Sequence, residues 1–181
     1  MIYNEKQMEE KAVLETAAKM CAAARTSPKT KGVDNIVTVV LTGKEKDELA
    51  DKMEEVYLRE FGETEGHYVR DGRNLRTAGA VVLIGVKRAY TGLPHCSFCG
   101  FKNCGENKKM GGRCAFNTID LGIAIGSAVS IAADNRVDSR VMFSIGKVAE
   151  EMNYAEGEDI IWEGIPISVS GKSPFFDRVK K

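Results

Sequence analysis

Apolar residues recur at Val13, Ala17, Met20, Cys21 and Ala24, and that spacing predicts an amphipathic helix over residues 5–24. Ser27-Pro28 ends it, because the residue before a proline is pushed out of the helical region. Ile36 to Leu41 (IVTVVL) is β-branched and nearly continuous, which predicts a strand buried on both faces. Residues 44–60 return to helical spacing, with Leu49, Met53, Val56 and Tyr57 facing inward. Residues 62–78 are polar and punctuated by glycine, so they read as a surface excursion with His67 as a solvated loop histidine. Ala80 to Val86 (AVVLIGV) is a second buried strand.

Asn117 to Asn135 follows with apolar residues nearly all round, and Asn117 or Thr118 stands where a cap belongs. A helix of that kind lies inside a fold or in a subunit interface. Gly122, Gly126 and Ser130 form a stripe of small side chains along it, where another backbone can approach. Arg140 to Phe143 reads as a short strand. Ser144 to Asn153 reads as a helix with Ile145, Val148, Ala149 and Met152 inward, and residues 159–169 as a third apolar strand. Pro166 places part of that strand at an edge or bulge, since proline has no N–H for a ladder. The order predicts one α+β domain over residues 1–181.

Composition narrows the setting. The chain has 181 residues, 43% of them hydrophobic and 29% charged, which suits a globular domain with a real core. Lys+Arg and Asp+Glu balance at 26 each, so nothing global points to nucleic acid or a membrane surface as partner. The apolar run from Ile119 to Ala133 is too short to span a bilayer. The N-terminus is charged and does not read as a signal peptide. These features together predict a cytoplasmic protein.

Four of the five cysteines fall in one segment, His95 to Cys114 (HCSFCGFKNCGENKKMGGRC), spaced C-x2-C-x4-C-x9-C. In a reducing compartment such a cluster reads as a metal site before a disulfide framework. The fifth, Cys21, lies on a helix stripe and reads as a small buried hydrophobe. Structural zinc takes four thiolates, or three with His95, usually from two short knuckles, and only Cys96/Cys99 form one. A plant-type two-iron centre spaces its cysteines x4 then x2, the reverse of this order. A four-iron cubane needs four thiolates converging from a bent loop. Gly100 and Gly105, directly after Cys99 and Cys104, suit that bend. Six basic residues (Lys87, Arg88, Lys102, Lys108, Lys109, Arg113) against one acid, Glu106, complement a negative cluster and suit docking of an acidic electron carrier.

Through its third cysteine this segment resembles the four-iron loop of Rnf-complex B subunits and corrinoid iron–sulfur proteins, which read C-x2-C-G-x3-C. The resemblance implies a 4Fe-4S cluster on Cys96, Cys99, Cys104 and Cys114, the last at a shorter spacing than in those relatives. The stretches AARTSPKTKGVDNI, LGIAIGSAVSIAADNRVDSRVMFSIG and GIPISVSGKSPFFDR, with the cysteine segment, are similar to uncharacterised prokaryotic proteins that contain a ferredoxin domain. The helix with its AAR-x-SP loop, and LGIAIGSAVSIAADN, also resemble the flavin-dependent nitroreductase fold. That likeness implies a mixed sheet flanked by helices, a homodimer joined through the long helix, and the cysteine loop as an insertion at 94–116. It further implies FMN contacts at Arg25, Ser27 and Thr30, with Arg178 and Lys180 serving the phosphate. The N-terminal basic pair and the Asn-x-Gln-Pro-Trp continuation of the flavin loop have no counterpart here; Gly32-Val33-Asp34-Asn35 stands in the latter's place. Two functions fit these residues. One is a redox protein passing electrons between a cluster and FMN or a partner. The other is a non-enzymatic interaction protein whose zinc or cluster staples a loop.

Overall fold

The computed structural model describes residues 1–155 and 159–176. Helix α1 (Glu5–Thr26) starts from a capping box in which Asn4 and Gln7 each bond the other's backbone N–H. Strand β1 (Ile36–Leu41), helices α2 (Gly43–Phe61) and α3 (His67–Thr77), and strand β2 (Ala80–Lys87) follow. A short helix α4 (Cys104–Lys109) then leads to α5 (Ala115–Asp134), β3 (Asp138–Ser139), α6 (Phe143–Ala149) and β4 (Ile160–Ser168).

The four strands form one sheet in the order β1-β2-β4-β3, with every pairing antiparallel. The mixed sheet expected from the fold resemblance is therefore an antiparallel one over the described residues. The helical hairpin α2–α3 explains the first pairing: it returns the chain to the end where β1 stopped, so β2 must run back along it. β2 is buried on both faces. Val81 and Leu83 enter a core with α2, α3 and α6, while Ala80, Val82, Ile84 and Val86 enter a second core with α1 and α5. The sheet is thus sandwiched between two helical layers. β1 lies at the sheet's edge, and its four central residues are half-buried rather than enclosed on both faces. Pro166 pairs with Val81 on one flank. On the other, pairing covers Ile167, Ser168 and Gly164 but skips the proline, as a missing N–H demands.

Three expectations change. Residues 67–77 are helix, not loop, with Tyr68, Val69 and Leu75 buried against α2. The pattern was masked by two inward residues that look like surface. Asp71 is buried because the Ser144 hydroxyl donates to it at 2.6 Å, and Gly72 lets the Ala50 backbone come close. His67 stands at the start of α3 with its ring edge-on to Tyr57, Phe61 and Tyr68. The short strand expected at 140–143 is a two-residue strand at 138–139 plus a bridge at Met142, and Phe143 already opens α6.

The cap of α5 is Cys114, three residues before Asn117, the earlier of the two expected caps; its carbonyl accepts from the N–H groups of Asn117 and Thr118. That start makes it 20 residues long and, among the described residues, the one helix with the length and apolarity to cross a bilayer. Here it lies along α1 and the sheet. Its inner face is small (Ala124, Ala128 and Ala132 are fully buried), whereas Ile119 and Ile123 are 43% and 39% exposed on the outer face.

Candidate metal centre

The centre is built from the segment between β2 and α5. Its two ends are tied together before any ligand is considered. Arg88 and Arg113 both reach Asp159, at 2.7 and 2.5 Å, and the Tyr90 hydroxyl donates to Gly112 O at 2.9 Å. Both ion pairs are partly exposed, so each stabilises by less than about 1 kcal/mol; their consequence is to close the base of the loop. Buried Asn107 braces it from within by donating to Arg113 O at 2.9 Å. The ring of Phe98 stacks on Phe116 of α5, centroids 5.4 Å apart, and docks the loop tip on the helix.

Between those ties the backbone turns through left-handed conformations at His95, Ser97 and Gly100. A turn in which Gly100 N donates to Ser97 O at 2.9 Å bends the chain at Cys99. Gly100 has φ +81° and does what its place after Cys99 suggested. Gly105 does not: it lies in α4, whose cap is the Asn103 side chain accepting from Glu106 N at 2.9 Å.

These turns bring Cys96, Cys99, Cys104 and Cys114 to the wall of one cavity of about 110 Å³, with His95 and Lys102 on its rim. The first three thiols are half-buried and Cys114 is buried. Among the described residues no three Cys, His, Asp or Glu side chains stand close enough together to hold a single metal ion. A tetrahedral zinc site needs four donors within about 2.3 Å of one point. A four-iron cluster instead presents a separate iron to each of four thiolates, and four thiols line this one cavity.

Cys114 is the most specialised of the four. It occupies the N-cap of a 20-residue helix, where the peptide dipoles favour negative charge. Burial pushes its thiol up. The hydrogen bond with the Thr91 hydroxyl and the nearby backbone N–H dipoles of Thr91, Asn117 and Phe116 outweigh that and hold it below the ordinary thiol range. Cys21, by contrast, packs on the α1 core, and burial pushes its thiol up.

A second cavity, about 240 Å³, is lined by Thr30, Lys31, Val33, Asn35, Ala89, Tyr90, Thr91, Asn117 and Asp120. Of the residues the resemblance assigned to flavin, Thr30 alone faces it, and there both its N–H and its hydroxyl donate to Asp120, at 3.0 and 2.9 Å. Arg25 instead pairs with Asp34 at 2.6 Å and donates to Ile36 O, fastening the loop to β1. Ser27 is buried and donates back to Ala24 O, closing the end of α1. Arg178 and Lys180 lie outside the described residues. Sequence reasoning did not single out Asp120 or Thr91, and took Asn117 only as a candidate helix cap. A lone acid near the start of an apolar helix was a usable signal for Asp120, whereas a threonine in a polar loop carries none.

The sequence pattern of a family described as "Uncharacterized protein containing a ferredoxin domain (DUF2148)" matches residues 110–178. An uncharacterized protein of Archaeoglobus fulgidus is 40% identical over 189 residues, covering 100% of both chains. The chain belongs to this ferredoxin-domain family. Among solved structures it is similar to the FMN-dependent nitroreductase NfnB from Mycobacterium smegmatis, in complex with NADPH: TM-score 0.58, 12% identity, 92% of this chain and 85% of that one. It is also similar to a nitroreductase with bound FMN from Desulfitobacterium hafniense: TM-score 0.56, 15% identity, 95% of this chain and 81% of that one. At such identities the likeness is one of fold, and the fold of this family member is nitroreductase-like.

Proposed function

We propose that this protein is a cytoplasmic redox protein carrying a 4Fe-4S cluster on Cys96, Cys99, Cys104 and Cys114. The observation that carries the reading is the convergence of all four thiols on the wall of one cavity. Membership of a ferredoxin-domain family supports it. Bound there, the cluster would supply one-electron chemistry. The chain's own residues hold the thiolates, shield Cys114 from water and surround the site with cations. Exposed Lys102, Lys108 and Lys109 suit an acidic electron carrier as partner.

FMN is proposed for the second cavity. Asn117, whose buried Oδ1 accepts from no protein donor, is among the residues that line it. Lys31 supplies a donor on the same wall. Anaerobic purification with iron and sulfide analysis tests the cluster: about four irons per chain and absorbance near ~400 nm are expected. One zinc per chain without that absorbance leaves the alternative, a metal-stapled interaction protein. Quenching of FMN fluorescence on titration tests the flavin half.

The functional unit is proposed to be a homodimer joined through the outer face of α5. Ile119 and Ile123 are exposed there, and a Cβ at Gly122 or Gly126 would meet nothing within 4 Å, so the small-residue stripe serves no contact inside the chain. Gly126→Leu is therefore expected to leave the fold and its unfolding curve near wild type while about halving the mass measured by light scattering. A dimer that survives the substitution places the interface elsewhere.

A further inference from the structure

Thr91 connects the wall of the second cavity to a thiol on the wall of the first. The Thr91 hydroxyl lies 3.4 Å from Cys114 Sγ, within reach of a sulfur hydrogen bond, and Thr91 also lines the second cavity. On that side its carbonyl accepts from Lys31 Nζ at 3.3 Å, which ties the η-turn at residues 30–32 to the residue touching the cysteine centre. With a free thiol either atom of the Thr91–Cys114 pair can donate. With a metal-bound thiolate only the hydroxyl can, so binding at the centre sets the direction of the bond. Cys114 is the one buried thiol of the four, and water is least able there to replace a lost donor.

We propose that Thr91 is a positioning residue for the cysteine centre: its hydroxyl donates to the Cys114 thiolate, stabilises the reduced, more negative state, and so raises the centre's reduction potential. The proposal rests on the iron–sulfur reading. A hydrogen bond to a ligating sulfur strengthens as electron density builds on that sulfur, so removing it penalises the reduced form more than the oxidised one. Because the same residue walls the second cavity, whatever occupies that cavity lies one side chain from the most enclosed ligand of the centre.

Thr91→Val keeps the volume and removes the hydroxyl; Thr91→Ser keeps the hydroxyl. Spectroelectrochemical titration of the reconstituted proteins is the test, with Thr77→Ala as control, since the Thr77 hydroxyl bonds Asn74 O at the end of α3 and lines neither cavity. At the wild-type midpoint, Thr91→Val is expected to show an about tenfold smaller ratio of reduced to oxidised centre. That corresponds to a midpoint lowered by about 59 mV for one electron. Thr91→Ser and Thr77→Ala stay at the wild-type value. Loss of the cluster from Thr91→Val but not from Thr91→Ser also supports the role, because the hydroxyl is then needed to hold the centre at all. A Thr91→Val protein that keeps its cluster at the wild-type potential overturns the inference and leaves the iron–sulfur reading intact. Loss from both Thr91 variants makes the residue a packing element and overturns it equally. A wild-type protein that never assembles a cluster removes the iron–sulfur reading itself, and the inference falls with it.

Discussion

Cys99→Ser is expected to emerge from anaerobic reconstitution without its cluster, iron falling from about four per chain to near none and the ~400 nm band with it. Cys99 sits at the bend of the loop, its sulfur on the cavity wall and its backbone followed by the left-handed Gly100. A serine oxygen is a harder and less readily ionised donor than a thiolate, so the remaining three sulfurs must hold the group alone. The fold is expected to persist, because Cys99 belongs to neither core. Cys21→Ser is the matched control. It removes a thiol from α1, packed beside the second core and away from the cavity, and should keep full iron content. A Cys99→Ser protein that retains wild-type iron and spectrum would falsify the ligand assignment.

Gly146→Ala produces the largest loss of stability expected of a one-carbon change here. A Cβ at that position would stand 2.0 Å from the Trp162 carbonyl oxygen and 2.6 Å from Glu163 Cα, both backbone atoms of a central strand. Neither can rotate away, so α6 must lift from β4. That separates Ile145, Val148 and Ala149 from the core they fill with Trp162. Overpacking in ordinary cores costs about 1–3 kcal/mol, and a backbone clash lies at or above the top of that range. The urea midpoint should fall by more than about 1 M, given slopes of about 1–3 kcal/mol/M. Gly171→Ala, in a loop where the added carbon meets nothing within 4 Å, should leave it unchanged. A Gly146→Ala midpoint within error of wild type would mean α6 does not pack on β4 as described.

Much of this architecture was legible because burial follows hydrophobic period wherever an element has one wet face. Leu49, Met53, Val56 and Tyr57 are buried in α2 as their spacing requires, and so are Ile145, Val148 and Ala149 in α6. The pattern misleads where a polar residue is bought into the interior by a partner distant in sequence. Asp71 is inside because Ser144 is there to bond it, and no local window contains both. α5 gives no such signal. Apolar nearly all round, it offered no pattern from which to pick its inner face, and its alanines fill that face, because close packing against α1 favours small side chains.

The candidate site divides in the same way. Spacing and residue type alone marked Cys96, Cys99, Cys104 and Cys114 as one set, since a dense group of thiols in a glycine-bent loop has few other uses. Neither spacing nor composition could show that Cys114 caps α5, that Arg25 and Ser27 serve loop and helix closure, or that Thr91 connects the walls of two cavities. Those facts depend on where β2, the loop and α5 meet. The sequence by itself determined which atoms are available for the chemistry. Tertiary structure decided which of them face the same space, because side chains 23 residues apart become neighbours only when the sheet and helix around them are packed.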